Sequence, residues 1–348
     1  MDDRRHDHSP NLISTRRSLD ATTLIAPTAL DLRLHASTFV TLSRKYIAPL
    51  TAVNNDTLNQ EADEIVRYSE MRNVTDYSID SSLILTALAS WILWALYVIE
   101  SRYRPISHAS GIPLATSLSA ISLAAFVATV PVSYLVYSIV NRRNMHLGRS
   151  EALLWASIGR VKNNTNPTDT SRLFAVNTAE RDLRAATVEE KERSAYLWSL
   201  LSLVPFIGGL FLAYALFQVN SDFQKHEKRE FVTLEDLQRG LGLQVGGAHF
   251  QAKRWYPSRN NVAYFAASIL GPLSLSLTVL RLPADIASFP VSYLVYLTVG
   301  WAWIYWLYVS AHDPEPHFVV QSHLESELQP ILTGLQKVGP ISSIGGAM

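Results

Sequence analysis

The stretch LATSLSAISLAAFVATVPVSYLVYSIV, from Leu114 to Val140, decides the fold class, because none of its 27 residues is Asp, Glu, Lys or Arg. The uncharged run around it extends from Pro105 to Asn141, 37 residues in all. A helix needs about 20 mostly apolar residues to cross a hydrocarbon core of about 30 Å. Soluble helices of that length keep a charged or polar face, and this one has no charge on any face. Four other stretches read the same way, so membrane segments are expected at 82–100, 114–140, 196–219, 261–281 and 288–310. The expected fold class is therefore all-α: a polytopic integral membrane protein with four transmembrane helices, one re-entrant or kinked membrane segment, and amphipathic cytoplasmic helices.

Composition points the same way. The 348 residues include 30 Lys or Arg and 30 Asp or Glu, and charged residues make up only 17%, against roughly 25% in an average soluble domain. The zero net charge disfavours a nucleic-acid partner. With no cysteine, disulfides, thiolate metal sites, iron–sulfur clusters and cysteine nucleophiles are excluded. No long apolar run occurs before Leu83, which argues against a cleaved signal peptide.

Basic residues favour the cytoplasmic side, and their distribution chooses a topology. If all five segments span, 20 Lys and Arg fall inside and 10 outside. If 196–219 enters and leaves on one side, the division becomes 27 to 3. The middle of that segment, Val204-Pro205-Phe206-Ile207-Gly208-Gly209, permits a reversal, because proline cannot donate to a helix ladder and glycine is conformationally free. Pro205, Gly208 and Gly209 are thus the candidate re-entrant turn. A single kinked spanning helix is the alternative.

The resulting organisation is an N-terminal cytoplasmic extension (1–81, its first 20 residues expected to be disordered), membrane helices 1 and 2 (82–142) and a cytoplasmic helical connector (143–195). The broken membrane hairpin (196–219), a second cytoplasmic connector (220–259), membrane helices 4 and 5 (260–310) and a cytoplasmic C-terminal tail with an amphipathic helix (311–348) follow. Both termini lie in the cytoplasm, and the location is the cell membrane. The charged run from Glu180 to Arg193 is expected to continue as a helix into the membrane at Tyr196.

Two signals suggest internal repetition. The heptapeptide Pro131–Tyr137 recurs at Pro290–Tyr296, an offset of 159 residues. Tyr134, Tyr214 and Tyr305 are each followed twelve residues later by a histidine, His146, His226 and His317; here the first and third units are offset by 171. The second signal aligns the membrane exits and is preferred. A shared site for metal, headgroup or proton is one reading of the histidines, since imidazole titrates near neutrality and ligates metals. The other is structural: the tyrosines mark the interfacial belt and each histidine caps the polar helix that follows. The structural reading is preferred here because no carboxylate recurs at a fixed spacing, so no metal site is expected.

Other chemistry is missing. No Asp, Glu, Lys or Arg lies between the ends of a membrane segment, unlike pumps and exchangers. No Walker loop, nucleophile elbow, His-Glu-x-x-His helix or dinucleotide fingerprint occurs, so no catalytic residue, cofactor or enzymatic activity is expected. Small residues every fourth position (Thr116, Ala120, Ala124, Ala128; Ala263, Ala267, Gly271) provide faces on which membrane helices can pack. The expected partners are the lipid bilayer and other membrane subunits, or a second copy through these faces. The expected function is that of a non-enzymatic subunit or scaffold of a membrane complex. The alternative is a transporter or channel for a neutral or apolar solute.

Overall fold

The charge-free stretch and the charged sequence after it form a single helix of 51 residues, Leu114–Asn164, about 77 Å long at 1.5 Å per residue. The boundary drawn at 142 therefore falls inside an unbroken helix. Pro131 sits within it; its missing N–H interrupts one rung of the ladder without ending it.

The computed structural model of the chain describes residues 55–107, 114–204, 207–243, 256–257, 259–279 and 289–335. Among these residues every regular element is helical. In chain order the elements are α1 (Asn55–Glu70), α2 (Arg72–Thr75), α3 (Ser81–Ser107), α4 (Leu114–Asn164), α5 (Thr170–Glu189), α6 (Ala195–Ser202), α7 (Gly208–Leu241), α8 (Asn261–Val279), α9 (Phe289–His312) and α10 (Pro314–Gly334). Among the described residues no helix is long and apolar enough to cross a membrane. The disorder expected of residues 1–20 and the turn residue Pro205 fall outside the described residues.

The segment 196–219 reverses direction. Trp198 on α6 and Tyr214 on α7 bring their rings to 5.3 Å, whereas one continuous helix would hold them about 24 Å apart. The two ends of the segment also meet: Arg193, just before α6, bonds Asp222 at 2.6 Å and Gln218 at 2.8 Å on α7. Gly208 is required at the start of α7, because a Cβ there would lie 2.3 Å from the Ser202 carbonyl oxygen. The kinked spanning helix is excluded by this geometry.

Two expectations at neighbouring points need correction. The helix expected to run from Glu180 into Tyr196 ends at Glu189, and Ser194 starts a new one by accepting a bond from the Leu197 N–H. The aromatic residues that end the last apolar stretch, Trp301, Trp303, Tyr305, Trp306 and Tyr308, fit an interfacial anchor. Trp306, however, is fully buried, while Trp301, Tyr305 and Tyr308 are exposed and Trp303 is partly buried. Helix α7 ends at Leu241, with Gly242 in the left-handed conformation (φ 72°) as its C-cap.

The packed interior has two parts. One gathers Ile84, Val132, Leu135, Val136, Leu212, Leu216, Leu307 and neighbours from α3, α4, α7 and α9. The other gathers Ile65, Tyr68, Leu154, Ile158, Val176, Leu237 and Leu332 from α1, α4, α5, α7 and α10. Residues 55–80 therefore belong to the packed structure rather than to a free extension. Between the two apolar parts, α4, α7 and α10 each contribute polar residues.

Candidate functional site

Along α4, Leu147 is the one buried apolar residue between Val140 and Leu153. The buried positions between them include Arg142, Arg143, His146, Arg149 and Ser150. On α7 the same level holds Asn220, Asp222, His226, Glu230 and Thr233, and on α10 it holds His317, Gln321 and Glu325. A buried charge is tolerated only when it is paired and hydrogen-bonded, and these residues largely pair with one another. Arg149 is fully buried and reaches Asp76 at 2.8 Å and Glu325 at 2.7 and 2.9 Å, with Gln321 at 3.1 Å. Arg143 lies 2.9 Å from Asp222. Arg142 has carbonyl partners instead, including Ala311 at 2.6 Å near the C-terminus of α9, where the helix dipole favours a cation.

His146, His226 and His317 meet at the centre of this layer. Their ring centroids are 5.3, 5.3 and 6.0 Å apart, and one ring nitrogen from each lies within 4.8 Å of the others. Phe318 and Phe223 wall the cluster, 4.6 and 5.7 Å from the His146 ring. The far side of two rings is held by carboxylates: Asp76 Oδ1 lies 2.9 Å from His146 Nδ1, and Glu190 Oε2 lies 2.9 Å from His226 Nδ1. None of the three Nε2 atoms has a hydrogen-bond partner. Glu230 faces them, its Oε2 3.4 Å from His317 Nε2 and 3.7 Å from His226 Nε2. Its other oxygen accepts from Ser150 at 2.8 Å and from the Gln321 amide.

Burial decides the charge states. Desolvation holds His146 down to about 4, against the pull of Asp76, and His317 down to about 3, with His226 nearby adding to the effect. For His226, burial also opposes the charged form, but the Glu190 hydrogen bond and the Glu230 charge outweigh it and raise the pKa. Asp76 is likewise opposed by burial, yet His146 and Arg149 bring it down to about 2. Asp76 is thus an anion that can only accept. It fixes the His146 proton on Nδ1 and leaves the Nε2 lone pair facing the other two rings. His146 and His317 are held neutral, and His226 can ligate once a bound cation displaces its proton. Backed by carboxylates and joined by Glu230, the three rings can hold a divalent transition metal.

No protein-family model matches the chain, and no curated protein and no solved structure matches it.

The structure brings all three sequence-predicted histidines together, and it places Tyr134, Tyr214 and Tyr305 outward, each roughly half exposed. The expectation that each histidine caps the next helix is overturned. His146 and His226 lie deep inside α4 and α7, where the backbone N–H groups already have helical partners, and His317 lies inside α10 and is buried. Asp76, Glu190, Ser150, Glu230 and Gln321 were missed. The signal for the last three is one helical turn beyond each histidine: the residues four positions on are Ser150, Glu230 and Gln321. All three are polar, and they hydrogen-bond to one another.

Proposed function

We propose that the chain is a non-enzymatic multi-pass membrane protein, a subunit or scaffold of a membrane complex. In this reading a lipid-embedded bundle passes through the buried polar layer into a cytoplasmic helical head. The observation that carries the reading is where large apolar side chains meet the outside. Around the first core, Leu85, Leu123, Val127, Leu200, Val262 and Trp301 are all exposed, and the sequence between the ends of those segments has no charge. Soluble monomers rarely expose apolar patches beyond a few hundred Å², whereas lipid is the natural solvent for such a surface. The Arg193–Asp222 clamp supports the two ends of the 196–219 hairpin leaving on one side, the arrangement that puts most basic residues inside.

Because the chain has no cysteine, sidedness can be read by labelling single introduced thiols. Lys191→Cys and Lys225→Cys, one on each side of the hairpin and both exposed, should react with an impermeant reagent from the cytoplasmic side only. The protein should also stay in the membrane fraction through a carbonate wash. Release by carbonate would refute the membrane assignment; labelling from opposite sides would refute the hairpin topology. Co-purification of a defined partner in mild detergent would support the scaffold role, and solute uptake by the protein alone in liposomes would replace it with transport.

A further inference from the structure

We propose that His146, His226 and His317 bind one divalent first-row transition-metal ion through their Nε2 atoms, with Glu230 Oε2 as the fourth ligand. The first argument is the three unpartnered nitrogens. Each Nε2 is buried without a hydrogen bond, and a buried polar atom left unsatisfied is destabilising. Three such atoms around one space are costly unless something there takes the lone pairs they can offer, with the His226 proton released as it binds. A cation is the one partner that can satisfy three acceptors at once.

The second argument is the shell behind the ligands. A metal-bound imidazole normally gives its other N–H to a carboxylate or carbonyl, which fixes the tautomer. Asp76 does this for His146 and Glu190 for His226, each at 2.9 Å. Glu230 is held the same way, through the oxygen that faces Ser150 and Gln321, so its Oε2 is turned toward the histidines. The nearby cations are already engaged, Arg149 by Asp76 and Glu325 and Arg143 by Asp222.

Geometry and donor chemistry narrow the ion. Four ligands at about 2.0–2.1 Å around a tetrahedral zinc lie about 3.3 Å apart. The ring nitrogens, within 4.8 Å of one another, close onto such an ion by movements of about 1.5 Å or less. Imidazole and carboxylate without thiolate suit zinc, iron, cobalt or nickel rather than the softest metals, and four-coordinate N₃O geometry favours zinc. Beside Glu230 lies a cavity of about 30 Å³, lined also by Ser157, Gln321, Glu325 and Leu328. That space suits a water or two and no organic substrate. The ion therefore acts as a clamp joining α4, α7 and α10, whose histidines lie 80 and 91 residues apart in sequence.

The test uses the full chain in mild detergent, stripped with a chelator and then titrated with zinc chloride or cobalt chloride. The expected result is one zinc per chain, a higher melting temperature on zinc addition, and the intense visible bands of four-coordinate cobalt. Replacing His146, His226 and His317 together with Gln should abolish all three effects. Glu230→Gln should weaken zinc binding by at least about tenfold and change the cobalt spectrum, while His323→Gln, at an exposed position, should bind as the parent does. A parent protein with no zinc-dependent stabilisation and no cobalt bands would overturn the proposal, as would a triple variant that binds zinc equally well. If the triple variant fails to fold, the parent's cobalt spectrum and the Glu230→Gln titration decide. Metal binding is measured on the purified chain, so the result stands whether or not the protein is retained in membranes.

Discussion

The two halves of α4 sit on one continuous helix and are built in opposite senses. Before Asn141 its charge-free surface turns Leu123, Val127, Val130 and Tyr134 outward, and its inner face, Val132, Leu135, Val136 and Ile139, is aliphatic. After Asn141 the inner face carries Arg142, Arg143, His146 and Arg149, all fully buried. Helix α7 repeats the contrast, with Leu212, Ala213 and Leu216 packed in its first part and Asp222, His226 and Glu230 buried in its second. The difference teaches where ionisable groups can go. On the membrane reading proposed above, the first halves face lipid, where a charge has no compensation, and they carry none. In the second halves, charges are buried inside, and each finds a partner.

The most damaging way to break this contrast is to remove a partner from the charged interior. Arg149→Met would leave Asp76 and Glu325 buried without their shared cation, and losing one member of a buried pair costs about 3–5 kcal/mol. The expected outcome is loss of most folded protein by size-exclusion chromatography and thermal melting. Next comes a charge placed outside. Val127→Lys, in the apolar half, should cost about 2.5–3.5 kcal/mol of membrane insertion and reduce membrane-integrated protein. Val188→Lys, comparably exposed on α5 outside the apolar halves, should stay within about 0.5 kcal/mol of the parent. Equal effects at the two positions would erase the distinction between the apolar halves and the rest of the molecule. Ser194→Ala removes the cap that starts α6 and should cost about 1 kcal/mol, read as a lower melting temperature with the fold retained.

The smallest effect concerns Glu61 on α1. Burial raises its pKa to about 7, against the pull of Arg160 and the Asn163 hydrogen bond. A carboxyl with a raised folded pKa contributes stability that is present below the unfolded value of about 4.5 and lost as pH rises through 7. Parent and Glu61→Gln should therefore melt alike at pH 4, and the Gln variant should be the more stable at pH 8. A constant difference between them across that range would show that Glu61 is not strained by ionisation.

Much of this arrangement was legible in the residues. The absence of charge from Leu114 to Val140 marked the apolar half, and Gly208 marked the reversal because no Cβ fits beside Ser202. The twelve-residue spacing from tyrosine to histidine picked out three side chains that meet in space. What the sequence did not reveal was the convergence itself. The carboxylates that orient the rings come from outside the repeated units: Asp76 from the turn after α2 and Glu190 from the end of α5. Only the third, Glu230, lies at a helical spacing from its histidine. A search for repeated carboxylates therefore finds one of three, while a search for any polar residue one turn on finds Ser150, Glu230 and Gln321. The helix boundary near 142 was misplaced for a related reason. A change from apolar to charged sequence marks a change of environment, and a helix can pass through that change unbroken.

The unbroken passage of α4 has a mechanical side. From Arg142 to Asn164 the helix runs about 33 Å, so a tilt of five degrees about the Arg142 level carries the far end sideways by about 3 Å. Membrane helices answer changes in bilayer thickness by tilting. On the membrane reading proposed above, a rigid rod with its apolar arm in lipid and its other arm packed against α1 and α5 works as a lever that carries bilayer thickness to its distal end as displacement.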